Sequence, residues 1–516
     1  MAVKIIILIL FFSVMIGVGI YCRRHATDVT GFVLGGRNVG PWLTAFAYGT
    51  SYFSAVIFVG YAGQFGWKFG IASTWIGLGN AIIGSLFAWI VLGRRTRLMS
   101  QHLSSATMPE FFGKRFESKA LKIFASVIVF VFLIPYTASL YNGLSRLFAM
   151  AFDIDYTVCI IIMALLTAVY VISGGYMATA INDFLQGIIM LIGIVAVVIA
   201  TLNLNGGFMG SLAGLARAED PAVSDIPGVF ASFFGPDPLG LLFVVILTSL
   251  GTWGLPQMVQ KFYSIKSEKA ISKGTIISTL FAVIVAGGCY FLGGFGRLFS
   301  NIIPMENGAI VGGFDSIIPT MIQQLPDILI AVVIILVLSA SMSTLSSLVL
   351  ASSSTLTLDL IKDNVVKNMS EKKQVFIMRV LIAVFILISV IIAIVQYKSS
   401  VTFIAQLMGI SWGALAGAFL APFMYSLYSK KITKASVTVS FIFGSGVMVL
   451  NMFCKNIFPA ILQSPINCGV FAMAAGLVLV PVVSLFTKAP DKNSVDKMFE
   501  CYDEQVTAHA KEFLGD

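Results

Sequence analysis

Charge is what this sequence has least of. It carries 33 Lys and Arg with 24 Asp and Glu, 11% of 516 residues, where an average soluble domain is about a quarter charged. So few charges cannot coat a water-facing surface of that size. Histidine is rarer, at three residues, and none pairs with a midplane carboxylate. A membrane-embedded enzyme is therefore not expected. The six cysteines (Cys22, Cys159, Cys289, Cys454, Cys468, Cys501) show no CxxC or His-paired spacing, which argues against a metal site built on thiolates. Cys454 and Cys468 flank one short loop and are read as lipid-buried thiols, with a bridge as the alternative if that loop lies outside. No fused soluble domain is expected from these residues, so a sensor-kinase role is not expected either. Apolar residues fill the gap: 58% of the chain is hydrophobic, mean hydropathy is +0.94, and there are 42 Phe and 47 Gly. Repeated apolar runs of about twenty residues define an all-α polytopic membrane protein. The net charge of +9 then marks one side of a lipid bilayer and not a nucleic-acid surface.

The first apolar run, Ile5 to Tyr21, is followed by Arg23 and Arg24 and lacks a small-residue cleavage site, so it reads as an uncleaved helix with its N-terminus outside. Further spans are expected at 41–66, 70–92, 123–150, 157–173, 177–203, 239–260, 274–296, 327–358, 375–396, 401–427, 436–453 and 467–487. That makes thirteen helices with a cytoplasmic C-terminus. Loop charge agrees: this arrangement places 26 of the 33 Lys and Arg on the cytoplasmic side, as the positive-inside rule requires. Four of those 26 lie in the presumed loop 261–273. The tail 491–516 reads as a short, solvated cytoplasmic helix, with a docking segment as the alternative.

Two spans look interrupted. Helix 2 carries Gly49-Thr50-Ser51-Tyr52-Phe53-Ser54, and helix 7 carries Gly251-Thr252-Trp253-Gly254-Leu255-Pro256. Non-helical backbone at membrane depth is tolerated only where it is enclosed or lines a cavity. The two interruptions open two five-helix sets, the arrangement that marks a midplane transport site. Asp183 is the clearest ionisable residue deep in a span, and its partner should be a cation. No Lys or Arg shares that span, which leaves a bound ion or a proton, with a neutral, hydrogen-bonded Asp as the alternative. On helix 9, Ala340, Ser343, Thr344 and Ser347 fall at i, i+3, i+4 and i+7 and share one face. Hydroxyl and carbonyl oxygens suit hard cations, although a hydroxyl stripe also serves as packing glue.

Several stretches together carry a resemblance. They are Ser51–Gly63, Thr107-Met108-Pro109-Glu110-Phe111 through Phe116, Gly174-Gly175 leading to Asn182-Asp183-Phe184, Met342-Ser343-Thr344-Leu345-Ser346, and Asp359-Leu360-Ile361-Lys362. From Gly31 to Lys434 the chain resembles the sodium:solute symporter family, which includes bacterial proline, pantothenate, sialic acid and sugar carriers and animal glucose and iodide transporters. The resemblance implies a LeuT-like five-plus-five inverted repeat. Residues 1–40 would form an extra N-terminal helix and loop, 41–204 the first repeat, and 205–238 an external loop. The second repeat would span 239–434, followed by two C-terminal helices at 435–490. It also implies a main sodium site at the carbonyls of Thr50, Phe53 and Ala340 with the hydroxyls of Ser343 and Thr344. A second sodium site, present in some members, would fall on Asp183, Ser343, Ser346 and Ser347.

The solute site departs from better-known members. Sugar carriers have Glu and Gln where this chain has Val56 and Ile57; the helix 2 Asp of proline carriers is Tyr52; and the Trp and Tyr of helix 7 are Thr248 and Thr252. The candidate solute residues are Tyr52, Ser54, Ile57, Phe58, Tyr136, Ser249, Thr252, Trp253 and Gln406. None is charged, which favours a small carboxylate or an amino acid such as proline over a sugar, whose hydroxyls would go unpaired. The expected function is sodium-coupled import of such a solute across the plasma (inner) membrane by alternating access, using one or two Na+. A proton-coupled permease of the same fold and a solute-gated receptor or channel are the alternatives.

Overall fold

The computed structural model describes residues 2–23, 26–152, 155–221, 223–306, 309–362, 365–366, 369–399 and 404–506. Those residues are helical almost throughout. In hydrocarbon no water satisfies the backbone, so each spanning segment must close its own hydrogen bonds. The main helices are α1 (Ala2–Cys22), α2 (Pro41–Tyr52), α3 (Val56–His102), α4 (Lys119–Phe152), α5 (Tyr156–Asn203), α6 (Pro238–Gly254) and α7 (Pro256–Ser264). They continue with α8 (Glu268–Gly293), α9 (Asp327–Ile361), α10 (Glu371–Ser399), α11 (Ile404–Tyr428), α12 (Lys434–Phe453), α13 (Pro465–Phe486) and a short α14 (Lys492–Phe499). Among the described residues the strands are a single antiparallel pair, Met305–Glu306 with Ala309–Ile310, with Met305 opposite Ile310.

Nine of the described helices are long and apolar enough to cross a membrane, ten if the bent α6–α7 pair counts as one span. That is fewer than the thirteen expected. Ile6–Cys22 and Thr157–Val169 are apolar but shorter than a full span, the second of these lying in α5 before its turn at Gly175 (φ 59°, ψ −154°). The expected spans 41–66 and 70–92 are cut differently: α3 begins at Val56 and runs on through Gly70 (φ 63°) to His102.

Burial sorts the helices into layers. The most apolar stretches of α9 and α11 are 78% and 89% buried, whereas those of α10 and α13 are 39% and 33% buried. The hydroxyl-rich α9 is thus central and packs on α5, α4 and α2. Leu165, Ile192, Leu387 and Leu485 face outward, as lipid contact requires. Both expected interruptions are present. α2 stops at Tyr52, Phe53 is extended (φ −89°, ψ 124°), and helix resumes at Ala55–Val56. α6 tightens into a 3₁₀ turn, Leu250–Gly254, before the extended Leu255. Pro256, with no N–H to bond back, opens α7 at a 50° bend.

Two expectations fail at the end of the molecule that carries the C-terminal tail. The described part of the tail, up to residue 506, is docked and not solvated: Val495, Cys501 and Val506 are buried. Arg94 Nη2 donates to the carbonyls of Tyr502 (3.1 Å) and Glu504 (3.0 Å). The Arg95 guanidinium lies 4.5 Å from the Tyr502 ring, and that of Arg115 lies 5.2 Å from Phe499. The tail's aromatic residues thus find cationic faces, which an apolarity profile does not reveal. α9 also runs past 358, so Asp359 lies inside the helix and is fully buried. Cys454 and Cys468 are both free, the first exposed and the second buried.

Candidate functional site

The α2 interruption removes helical partners from the carbonyls at its edge, and α9 meets it there with hydroxyls. Thr344 Oγ1 lies 3.2 Å from the Thr50 carbonyl, 3.2 Å from the Phe53 carbonyl and 3.1 Å from the Ala340 carbonyl. The Ser343 hydroxyl donates to Thr50 Oγ1 at 2.7 Å. All five residues expected for the main sodium site therefore meet at one point. A single Thr344 proton cannot serve three carbonyls at once, so the cluster holds more acceptors than donors. A hard cation resolves that imbalance. Ser341, which lies off the Ala340–Ser347 face, was not anticipated. Its Oγ accepts from the Ala55 N–H (3.1 Å) and satisfies a donor freed by the break.

The residues expected for a second sodium site are arranged differently. Asp183 is fully buried and its oxygens accept no hydrogen bond. Its charge is met by Lys261, whose Nζ is 3.7 Å from Asp183 Oδ2. Lys261 was expected just past the span 239–260, in a cytoplasmic loop; it sits in α7, 2% exposed. No Lys or Arg shares the span of Asp183, so this cationic neighbour from another helix was not anticipated. The same Nζ donates to Ser347 Oγ (3.0 Å), which lies 2.9 Å from Ser51 Oγ. Ser346 donates to the Ser343 carbonyl (2.8 Å). A further unit charge about 4 Å from the ammonium would meet a repulsion of about 4 kcal/mol at an effective dielectric of ~20.

The expected solute residues separate into two groups. Ser249 Oγ donates to Asn80 Oδ1 (3.1 Å), Thr252 Oγ1 to the Ser249 carbonyl (2.8 Å), and Trp253 Nε1 to the Ile83 carbonyl (3.0 Å). Their donors are committed to packing within α6 and against α3. Ser54 and Tyr136 instead meet Trp412 of α11, which was not anticipated. The Tyr136 hydroxyl faces Ser54 and Trp412, the two rings stand 5.8 Å apart edge to face, and Ser54 Oγ, Tyr136 OH and Trp412 Nε1 are buried without hydrogen-bond partners. Ile57 and Phe58 are fully buried just after the break, and Gln406 is half-buried at the start of α11. The Tyr52 side chain lies outside the described part of the structure.

Near the C-terminal end of α9 two sequence stretches meet. Thr107 Oγ1 donates to Asp359 Oδ2 (2.6 Å), and Lys122 Nζ is 3.4 Å from Asp359 Oδ1. Thr107 also caps the following helix by accepting from the Glu110 N–H, the role for which threonine is favoured at a helix start.

Comparison with other proteins places this arrangement of helices in a family. The model of the sodium:solute symporter family matches residues 32–444. The chain belongs to this family. Among its relatives, sodium/proline symporters of Staphylococcus aureus strains JH9 and NCTC 8325 / PS 47 are 29% identical over 500 residues, covering 94% of this chain and 93% of theirs. Its fold resembles that of a Na+-coupled sialic acid symporter in a substrate-bound outward-open state. There the TM-score is 0.73 at 17% identity, covering 95% of this chain and 99% of the other. A nucleobase-cation-symport-1 family transporter matches at TM-score 0.52 and 13% identity, over 91% and 98% of the two chains. As a family member the protein is a multi-pass membrane transporter that uses Na+ to move a small solute, and it is not an enzyme.

Proposed function

We propose that this symporter imports a small carboxylate or an amino acid such as proline, driven by sodium bound between the α2 interruption and α9. The convergence of three carbonyls on the Thr344 hydroxyl carries this reading. Thr50, Phe53, Ala340, Ser343 and Thr344 are the proposed ligands, and alternating access follows if sodium links the two halves that meet there. The proposed frame is thirteen spans in the plasma membrane, N-terminus outside, with inverted repeats at 41–204 and 239–434.

The solute would sit beside Ser54, where Tyr136 and Trp412 add two further unpaired polar groups. Ile57 and Phe58 supply an apolar wall. Three polar groups with no cationic side chain suit a small body whose carboxylate is met by the bound sodium and by the positive end of a half-helix. The name of the Staphylococcus aureus relatives supports proline as the first candidate. A thermal-shift screen of amino acids, monocarboxylates, vitamins and sugars in sodium or choline chloride tests this. Stabilisation by proline or a monocarboxylate only in sodium is the expected outcome, and a response to hexoses alone overturns the pocket.

A further inference from the structure

The second oxygen cluster already holds a cation of its own. Asp183 comes from α5, Ser347 from α9 and Lys261 from α7, and the Lys261 ammonium is the only charge close to all of them among the described residues. Both charged side chains are fully or nearly fully buried, at 0% and 2% exposure. Ser343 and Ser346 donate to Thr50 Oγ1 and to the Ser343 carbonyl. The Tyr176 ring, 5.1 Å from Nζ, covers another side of the ammonium.

We propose that the Lys261 ammonium is a tethered replacement for a second sodium ion, so that this chain binds a single sodium per transport cycle. The inference rests on the sodium-symport reading and deepens it. A carboxylate with one unit of negative charge, in a site closed to water, accommodates one monovalent cation. An ammonium bonded to Ser347 and beside Asp183 fills that position without dissociating. A lysine carried on the half-helix α7 also ties the interrupted helix to α5 and α9 through charge, a coupling that a free ion would supply only when bound. The second cluster would then be structural in every state, and the Thr344 cluster would alone report sodium concentration.

Equilibrium binding of radioactive sodium to the purified full-length protein, without solute and at constant pH, counts the ions. The expected result is one sodium per wild-type chain with a Hill coefficient of about 1, and two per Lys261→Ala chain with a coefficient rising toward ~2. Lys261→Arg keeps the cation and should still bind one. If Lys261→Ala does not fold, the doubly neutral Asp183→Asn/Lys261→Met chain should fold and still bind one. Two sodium ions on the wild type overturn the inference and leave sodium symport standing, whereas none overturns both. A folded Lys261→Ala chain that binds only one overturns the tethered-cation role. So does loss of sodium binding from the doubly neutral chain.

Discussion

In the proposed sodium site Thr344 is the pivotal residue, because its hydroxyl touches every carbonyl of that site. Removing it together with Ser343 leaves backbone oxygens and an incomplete shell. The Ser343→Ala/Thr344→Ala protein should lose about tenfold or more in apparent sodium affinity, or 1.4 kcal/mol per factor of ten. A sodium titration of thermal stability measures this, and unchanged sodium dependence would refute the ligand assignment. Asp183 and Lys261 answer to a different rule. Removing one member of a buried ion pair strands the other charge, whereas removing both is often tolerated. Asp183→Asn alone should therefore destabilise the protein by about 3–5 kcal/mol, with most of the loss recovered in Asp183→Asn/Lys261→Met. Equal melting temperatures for the single variant and the wild type would mean that the pair carries no electrostatic weight.

At the scale of elements, the interruptions decide where function sits. α5 turns at Gly175, whose φ of 59° and ψ of −154° belong to a region that side chains other than glycine rarely enter. An added Cβ would also lie 2.9 Å from the Phe32 carbonyl and 2.8 Å from the Phe32 ring. Gly175→Ala should cost about 1–3 kcal/mol, seen as a lower melting temperature in detergent, and no change would remove the strain argument. The turns and breaks were legible in the sequence because Gly174-Gly175, Gly254 with Pro256 and the Gly49–Ser54 run punctuate long apolar stretches. The hydroxyl face of α9 was legible for the same reason, as a period of i, i+3, i+4, i+7. Lys261 was not. It lies 78 residues from Asp183 at the end of a short half-helix, so local hydropathy assigns it to a loop while tertiary packing buries it. Trp412 escaped for a related reason: a tryptophan in an apolar helix reads as lipid-facing or core until Tyr136 and Ser54 are placed beside it.

For the whole molecule, charge asymmetry and the docked tail set the expected sidedness. In the thirteen-span arrangement exposed Cys454 lies outside, and an impermeant thiol reagent should label it in intact cells. Cys501 should resist labelling even in inside-out vesicles, because it is buried and burial pushes its thiol up to about 12, which leaves little thiolate to react. Labelling of Cys501 but not Cys454 in intact cells would invert the topology. Sidedness matters because the energetic argument is directional: sodium entering down its gradient must be the source of solute accumulation. Radiolabelled proline and monocarboxylate uptake into proteoliposomes, under an inward sodium gradient or an inward proton gradient alone, measures this directly. Accumulation above the external concentration only with the sodium gradient is the predicted result. Accumulation driven by protons in sodium-free medium, or solute flux that merely equilibrates, would contradict it.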